Sequence, residues 1–542
     1  MNILKRYTIL LTTTILCLSF ITAYILKFNR NQNQSNQPKD ISVTQPIKLN
    51  WFIQVFWYNK KWDSKTTLYD KTVTEKTGVD LNLIIPARDS NEKLIAMATS
   101  GDLPDIITID NWNDVREQML KEGYFQPLNK LAKQYSPELL EIIPESIKKW
   151  YTQEDGNLYG IANKITAPEW ISNNNKVDNA NGIVARKDIM KKLGIKAEDF
   201  NTQKGTIKAL KKVKESNIEF NGEKVFPFYL DWNDWNMARM WGIPWETPHG
   251  DWIDYKIHPK YLEMYQFLNK LWLEGLISKD NFTNWSGEKI TQGACFAYLG
   301  NLDNVTDSMA NLHNLNSEAM YMPVGPIHAL DGSDSLYDQA GTGWTTTFIT
   351  KNCKYPEQAI KLLSFLASDA GQMLTWYGIE GQTYKMINNK VQYTNEYLRM
   401  KKEDPKMALK VYGINDFWPL KQPMFNDKFI DKEALPEVDK NYENILKYFS
   451  KFSVSTPETM GVKSEPGTVE VGIQQKVDDY WENQTRKMVM ASSSEEVSNI
   501  YNESIKYIYA VGYQKVYDAS NAKFKAQKKK MGKQYSYPAN KK

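Results

Sequence analysis

Aromatic side chains that stand next to carboxylates, amides and cations have the types and spacing for recognition chemistry in this sequence. An indole or phenol ring stacks on the apolar face of a pyranose, while carboxylates, amides and cationic groups hydrogen-bond with its hydroxyl rim. The densest such run covers residues 226–239 and contains Asp231, Trp232 and Arg239. This run predicts a carbohydrate-binding surface, with one buried helix face as the alternative for Trp232 and Trp235.

The same combination of residues occurs where several predicted strands end. Trp57 and Lys60 stand at the end of a first strand, and Trp112 and Asn113 follow an isoleucine-rich strand at residues 106–109. In open α/β sheets, ligands bind outside the carboxyl ends of the strands. The candidate ligand-binding residues are therefore Trp57, Lys60, Trp112, Asn113, Asp231, Trp232, Arg239, Tyr298 and Trp344.

Two pairs of carboxylates could instead serve acid–base chemistry. Asp102 with Asp105 and Asp231 with Asp234 have the residue types that a glycoside hydrolase places on either side of the scissile bond. Helix caps and turns are the preferred explanation of such pairs. The sequence contains no G-x-S-x-G, phosphate-binding loop or H-E-x-x-H motif, so no enzyme is predicted.

The elements that position these residues begin with a β-α-β-α-β pattern. Strands are predicted at residues 47–58, 80–85 and 106–109, and helices at 66–77 and 92–99. This alternation is typical of a parallel-sheet lobe flanked by helices. Beyond residue 385 the pattern is helical, with Trp418 and Trp481 as landmarks.

Length and charge exclude several classes of protein. A chain of 542 residues is too long for one simple core, so two or more lobes are expected. The net charge of +4 comes from the two ends, because residues 1–30 and 521–542 hold twelve basic residues and no acid. The body between them carries a net charge of −8, which argues against a nucleic-acid partner.

Cysteine and histidine usage predicts neither a disulfide framework nor a metal centre. The three cysteines are Cys17 in the leader and Cys295 and Cys353 beside apolar runs, where buried free thiols are expected. The four histidines are scattered and have no zinc-ligand spacing. No cofactor is therefore predicted.

The N-terminal segment predicts an extracytoplasmic location. Lys5 and Arg6 precede an apolar run at residues 7–26, and such basic residues stay on the cytoplasmic side. The preferred interpretation is an uncleaved anchor over residues 1–27. A cleaved signal is one alternative, and lipidation at Cys17 is the other, although Leu16 stands where that motif has a small residue. Residues 28–46 then form a flexible tether, which places the body at the outer face of the cytoplasmic membrane.

Several separated motifs follow one another along the chain in a characteristic order. They are GDLPDI at 101–106, GYFQPL at 123–128, DGNLYGI at 155–161, VARKDIMKKLG at 184–194, the helix at 259–283, YPEQAIKLLSFL at 355–366 and YGIEGQTY at 377–384. The series resembles the bacterial extracellular solute-binding proteins of ABC importers, the maltodextrin-binding type. The last two motifs are similar to those of the LipO-like and alginate-oligosaccharide-binding branch. The resemblance covers residues 47–385.

The resemblance implies an α/β chain with a two-lobed periplasmic-binding-protein-like fold. Each lobe would be a mainly parallel sheet flanked by helices, with chain crossings near residues 161–164, 321–326 and 385. The implied division is an N-lobe of residues 47–162 and 323–385, a C-lobe of residues 163–322 and 386–520, and a basic C-terminal tail of residues 521–542, expected to be a solvated end.

The resemblance also implies a function. A protein of this kind captures an oligosaccharide outside the cell and delivers it to the permease subunits of an ABC transporter, as a monomer. A uronic-acid-containing sugar would find cationic partners in Lys60 and Arg239. Relatives in this branch often carry a calcium loop, but residues 214–224 lack its alternating Asp and Asn oxygens, so no calcium site is predicted. A membrane-tethered glycoside hydrolase and a sensor that is not coupled to transport are the alternatives.

Overall fold

The computed structural model describes residues 45–88, 91–167, 180–231, 234–282, 286–339, 341–432 and 434–532. The predicted anchor over residues 1–27, nearly all of the tether and the candidate ligand residue Trp232 lie outside these residues. Within the described ranges, no helix has both the length and the apolar character needed to cross a membrane.

Fifteen strands occur in the described residues. They are β1 Ile47–Ile53, β2 Val79–Ile84, β3 Ile106–Asp110, β4 Gly160–Ala162, β5 Asn181–Arg186, β6 Glu219–Phe220, β7 Glu223–Lys224, β8 Phe226–Leu230, β9 Cys295–Asn301, β10 Tyr321–Val324, β11 Tyr337–Gln339, β12 Thr345–Ile349, β13 Tyr384–Ile387, β14 Lys390–Tyr393 and β15 Ser453–Ser455.

The α-helices of the described residues surround these strands. They are α1 Leu68–Thr77, α2 Glu92–Ser100, α3 Asp114–Lys121, α4 Leu128–Tyr135, α5 Glu138–Ile142, α6 Glu145–Tyr151, α7 Lys187–Leu193, α8 Gln203–Ser216, α9 Asp234–Met240, α10 Pro259–Leu273, α11 Ser286–Thr291, α12 Thr306–Leu315, α13 Pro356–Ala367, α14 Asp369–Tyr377, α15 Asn395–Glu403, α16 Pro405–Tyr412, α17 Pro423–Phe429, α18 Glu437–Phe449, α19 Val469–Met490, α20 Ser494–Ala510 and α21 Tyr513–Met531.

The first sheet contains the predicted β-α-β-α-β pattern and has the strand order β2-β1-β3-β12-β4. β1 pairs in parallel with β2 and β3, while β12 runs antiparallel to β3 and β4. Gly78 ends α1 with a φ of 69°, a left-handed conformation that glycine adopts without a steric penalty. Because β12 is antiparallel, its first residues lie at the same edge as the carboxyl ends of β1 and β3.

The second sheet has the strand order β10-β5-β9-β8. β8 and β9 are parallel, whereas β5 runs antiparallel to both β9 and β10. Both sheets are therefore mixed, and the expectation of mainly parallel sheets is wrong. In the first sheet the reason is topological, because β12 enters the sheet after a chain crossing and not after a parallel crossover helix.

Two large hydrophobic cores correspond to the two sheets. The sequence assigns residues 386–520 to the second lobe, but Phe417, Trp418 and Leu420 belong to the core of the first sheet. Phe417 packs against Trp51 with ring centroids 5.3 Å apart, and Trp418 packs against Tyr58 at 5.1 Å. The loop that carries Phe417 and Trp418 therefore packs on the first sheet, where both rings are buried.

The chain therefore crosses between the cores at places that differ in part from the prediction. The first crossing follows β4, and the second lies between β10 and β12. The third lies between α17 and α18, because Ile445 and Phe449 of α18 enter the core of the second sheet. The predicted crossing near residue 385 falls in the β13–β14 hairpin, which packs on the first lobe through Tyr377. The other lobe boundaries remain predictions.

The basic C-terminal segment is not a solvated end over its described part. α21 continues to Met531. Lys523 and Lys525 pair with Glu465 and Asp251, at 2.8 and 2.6 Å. Further along the helix, Lys530 donates to the carbonyls of Trp150 and Thr152, which lie in and just after α6 of the first lobe. Lys523, Lys525 and Lys530 are therefore used for internal contacts, and Lys530 joins this helix to the first lobe.

Candidate functional site

Three tryptophans form an aromatic cluster at the edge of the first sheet where β1 and β3 end. Trp57 follows β1, Trp344 precedes β12, and Trp418 comes from the loop before α17. The rings of Trp344 and Trp418 are stacked with centroids 4.6 Å apart, and those of Trp57 and Trp344 are nearly parallel at 5.9 Å. We refer to Trp57, Trp344 and Trp418 as the aromatic cluster.

The aromatic cluster presents apolar surface to solvent. Trp57 is 57% exposed although it is a large apolar side chain, Trp344 is partly exposed, and Trp418 is buried behind them. On a soluble protein, contiguous exposed apolar patches mark interaction surfaces or ligand-binding grooves. The arrangement can stack flat, partly apolar ligands such as sugar rings.

A buried polar network holds Trp344 in place. The side-chain amide of Asn111 donates to the carbonyl of Gly343 at 2.8 Å, and the backbone N–H of Asn111 donates to the carbonyl of Trp344 at 2.9 Å. The hydroxyl of Tyr151 donates to the carbonyl of Thr342 at 2.6 Å. Gly343 has a φ of 102°, and a Cβ there would lie 2.4 Å from the carbonyl oxygen of Asn163. The turn before Trp344 therefore requires glycine.

Trp112 and Asn113 lie at the same edge but have different environments. Trp112 is 51% exposed, and its carbonyl accepts a hydrogen bond from Lys463 at 2.6 Å. Asn113 caps α3, because its side-chain oxygen accepts from the N–H of Val115 at 3.0 Å and its amide donates to Asn91 at 2.9 Å. Trp112 is available to a ligand, whereas the side chain of Asn113 is used for capping.

Lys60 lies close in sequence to Trp57 but is buried. Its ammonium is 3.0 Å from Asp70 and 2.9 Å from Asp416, and its side chain is 2% exposed. Burial raises the pKa of Asp70, and the nearby charge of Lys60 opposes that rise. Lys60 therefore neutralises buried carboxylates, and the predicted contact with a ligand finds no support in this geometry.

The second lobe contributes Asp231 at the end of β8. The hydroxyl of Tyr298, on β9, donates a hydrogen bond to this carboxylate. Burial raises the pKa of Asp231, while hydrogen bonds from Tyr298, Asn304 and the backbone of Asn301 oppose the rise. Asp231 remains partly exposed, but Tyr298 is fully buried. Tyr298 therefore orients Asp231 and does not reach the surface itself.

Arg239 is also buried in the second lobe, where it is 1% exposed. Its guanidinium donates to the carbonyls of Ile243 and Pro244, both at 2.8 Å, and lies 3.3 Å from the ring centroid of Trp245. The structure therefore does not bring Arg239 to the edge where the aromatic cluster lies.

One member of each carboxylate pair, Asp105 and Asp234, is held by hydrogen bonds within the protein. Asp105 precedes β3, at the opposite end of the strand from Trp112, and accepts a hydrogen bond from the N–H of Asn50 at 2.8 Å. Asp234 accepts hydrogen bonds from the hydroxyls of Tyr261 and Tyr255, at 2.6 and 3.4 Å. These contacts are those of structural carboxylates.

Residues 214–224, for which the sequence predicts no calcium site, end in a short hairpin. β6 and β7 pair antiparallel, with Asn221 and Gly222 at positive φ in the turn. Among the described residues, no group of three or more His, Cys, Asp or Glu side chains is placed to hold a metal ion.

The sequence missed two residues of this edge. Trp418 was only a landmark in a helical region, and its contact with Trp344 joins residues far apart in the chain. Lys164, in the first crossing, places its ammonium 4.9 Å from the ring centroid of Trp344. The only local signal for Trp418 was its position close to Asp416 and Phe417 in the chain. No local signal indicated Lys164.

Comparison with known proteins gives a family match and several relatives. The model of the family described as "Bacterial extracellular solute-binding protein" matches residues 59–373. The fructooligosaccharide ABC transporter substrate-binding protein FusA of Streptococcus pneumoniae serotype 4 is 27% identical over 251 residues, which are 43% of this chain and 45% of FusA. Lipoprotein LipO of Bacillus subtilis is 23% identical over 339 residues, 58% of this chain and 64% of LipO. The match thus spans about half of the length of FusA and just under two thirds of the length of LipO.

Solved structures extend the similarity to nearly the whole chain. Alginate-binding protein AlgQ2 without calcium has a TM-score of 0.65 and 19% identity, covering 90% of this chain and all of AlgQ2. FusA of S. pneumoniae in complex with kestose has a TM-score of 0.67 and 18% identity, covering 89% of this chain and 99% of that structure. At this identity the similarity establishes the fold alone, and it confirms the predicted two-lobed α/β class.

Proposed function

The chain belongs to the bacterial extracellular solute-binding proteins, and from this premise we propose that it captures an oligosaccharide and delivers it to an ABC transporter permease. The observation that carries the proposal is the aromatic cluster, which exposes stacked indole faces at the ligand-binding edge of the first sheet. Sugar rings match such faces because their C–H groups form an apolar side. The relative FusA, a fructooligosaccharide substrate-binding protein, and its structure with kestose agree with this ligand class.

The two lobes would contribute different contacts to the ligand. Trp57 and Trp344 stack on sugar rings, and Trp112 extends the aromatic surface at the rim. Asp231, partly exposed and oriented by Tyr298, accepts hydrogen bonds from sugar hydroxyls when the second lobe approaches. Closure of the lobes around the ligand then selects the state that the permease recognises.

The location of the protein follows from the same proposal. The basic and apolar N-terminal segment of residues 1–27 anchors the chain, and residues 28–46 tether the monomeric body at the outer face of the cytoplasmic membrane. A tethered receptor stays close to its permease, which raises their effective concentration. No catalytic role is included, because Asp105 and Asp234, one member of each carboxylate pair, are held by a backbone N–H and by tyrosine hydroxyls.

The test is calorimetric binding of a panel of neutral and acidic oligosaccharides to the full chain purified in detergent. For the best ligand, we expect Trp344→Ala to weaken binding by about tenfold, or 1.4 kcal/mol, because one stacking face is lost. The matched control is Tyr355→Ala, which removes a ring that is 45% exposed beyond the other end of β12. Unchanged affinity in Trp344→Ala, or the absence of any oligosaccharide ligand, would contradict the proposal.

A growth experiment separates transport from sensing. A strain that lacks this protein should fail to grow on the best oligosaccharide as sole carbon source, while growth on its monosaccharide continues. Normal growth on the oligosaccharide, with a lost transcriptional response, would instead indicate a sensor.

A further inference from the structure

Two lysines beside the aromatic cluster have no acidic partner in the part of the chain that the structure describes. The ammonium of Lys164 lies 4.9 Å from the ring centroid of Trp344, and that of Lys421 lies 3.7 Å from the ring centroid of Trp376. Within the described part of the chain, neither ammonium forms an ion pair with a carboxylate. Both side chains therefore hold their amino groups against aromatic rings at the edge where the ligand is proposed to bind.

Two other lysines in this part of the molecule pair with carboxylates. Lys60 pairs with Asp70 and Asp416, and Lys463 pairs with Asp114. Lys164 and Lys421 differ from these two lysines, because neither has a carboxylate partner among the described residues.

The positions of the two lysines are set by the backbone. The N–H of Lys164 donates to the carbonyl of Lys421 at 3.0 Å, which joins the first crossing to the loop after Trp418. Asn163 reinforces the junction, because its amide donates to the carbonyl of Trp418 at 3.3 Å and its side-chain oxygen accepts from the N–H of Thr345 at 2.9 Å. The two ammonium groups therefore extend from one hydrogen-bonded junction.

The junction also contains an unusual backbone conformation. Lys164 has a φ of 46°, in the left-handed region that residues other than glycine, asparagine and aspartate seldom adopt. Strained conformations of this kind persist where the surroundings hold them and are concentrated at functional sites.

Electrostatics make the pair unfavourable without an anion. Burial, together with the positive charge of Lys164, lowers the pKa of Lys421 to about 7. A negative group placed between the two ammonium groups would favour the charged form of Lys421 and remove the repulsion.

We propose that Lys164 and Lys421 form an anion-recognition position, which binds a carboxylate or sulfate substituent of the oligosaccharide stacked on the aromatic cluster. This inference rests on the proposed function and assigns the ligand an acidic character. Charge-assisted hydrogen bonds from ammonium groups to such substituents are short and stronger than neutral ones. Lys60 and Arg239, the cations that the sequence suggested for a uronate, are buried and already partnered.

The experiment compares matched ligands on the full chain in detergent. Calorimetry measures binding of a neutral glucose tetrasaccharide, the same tetrasaccharide with its C6 positions oxidised to carboxylates, a sulfated counterpart, and inorganic sulfate alone. We expect an acidic tetrasaccharide to bind at least about tenfold more tightly than the neutral one. Lys164→Met and Lys421→Met should each remove most of that preference, while Lys421→Arg retains it.

Lys354→Met is the control, because Lys354 is an exposed lysine beyond the opposite end of β12 and the substitution changes the net charge equally. The inference is overturned if the neutral sugar binds as tightly as both acidic ones, or if Lys164→Met and Lys421→Met leave the preference unchanged. Competition by inorganic sulfate at the concentration of the sulfated sugar would also overturn it, since the anion would not need a sugar. In each of these cases oligosaccharide binding itself, and with it the proposed function, survives. Failure of every oligosaccharide in the wider panel would instead reject the proposed function.

Discussion

Replacing Lys60 with methionine tests whether this lysine binds ligand or stabilises the first lobe. In the structure its ammonium is 3.0 Å from Asp70 and 2.9 Å from Asp416, and the Asp70 side chain is fully buried. Lys60→Met leaves the carboxylate of Asp70 in the interior with only the N–H of Asp63, at 2.8 Å, as a hydrogen-bond donor. The substitution therefore removes the charge that balances a buried anion and keeps a side chain of similar length.

The expected loss of stability is large. Breaking a buried ion pair by removing one partner typically costs about 3–5 kcal/mol, because the remaining charge stays desolvated. The loss should also depend on pH. Burial raises the pKa of Asp70 and Lys60 opposes that rise, so the variant should have a higher pKa at Asp70 than the parent. The native variant then holds a proton that the unfolded chain has lost, and its free energy of unfolding falls as the pH rises through that window.

The assay is urea unfolding followed by tryptophan fluorescence, at acidic and at neutral pH. Lys61→Met serves as the control, since Lys61 is the exposed neighbour and should change the free energy of unfolding by less than about 0.5 kcal/mol. Lys60→Met should lower the unfolding midpoint strongly at neutral pH and less at acidic pH. The reasoning fails if Lys60→Met unfolds at the same urea concentration as the parent while its affinity for the oligosaccharide drops, because Lys60 would then be a ligand residue as the sequence suggested.

Three further predictions concern other parts of the molecule. Asn113→Ala should destabilise the protein by about 1 kcal/mol through loss of the α3 cap, with ligand affinity unchanged in calorimetry; reduced affinity at unchanged stability would return Asn113 to the ligand site. Glu465→Gln should weaken ligand binding a few-fold at low salt but not at 1 M salt. Glu465 joins Lys121 of the first lobe to Lys523 of the second, and salt screens ion pairs of this kind. An effect of the same size at both salt concentrations would contradict this prediction. Folding lowers the pKa of Lys421 from 10.5 to about 7, so between these pH values the unfolded chain holds a proton that the folded protein has lost. The free energy of unfolding should therefore rise with pH across that interval. Chemical denaturation of Lys421→Met should show a flatter dependence of this free energy on pH.

Local sequence signals predicted the first lobe well. Isoleucine-rich strands alternating with short amphipathic helices indicated the β1-α1-β2-α2-β3 unit, and Gly78 and Gly194 end α1 and α7 in left-handed conformations. These features depend on residues that are neighbours in the chain, so their spacing alone is informative. The same holds for the ordered motifs that indicated the solute-binding family.

The edge where we propose that the ligand binds depends on contacts that the sequence does not encode locally. Trp418 joins Trp57 and Trp344 only because the loop after α16 returns to the first sheet, hundreds of residues after β1. The direction of β12 and the place of the third crossing likewise follow from long-range pairing.

The fate of each charged residue shows the same division. The sequence predicts Lys60 and Arg239, but not Lys421, as ligand contacts. In the fold, Lys60 pairs with Asp70 and Asp416, and Arg239 donates to backbone carbonyls. Lys421 lies against Trp376 and has no acidic partner among the described residues. The sequence by itself determined the elements, the fold class and the aromatic-polar character of the site. Only the tertiary structure decided which cations remain open to a ligand, because burial and ion pairing depend on the distant residues that folding brings to each one.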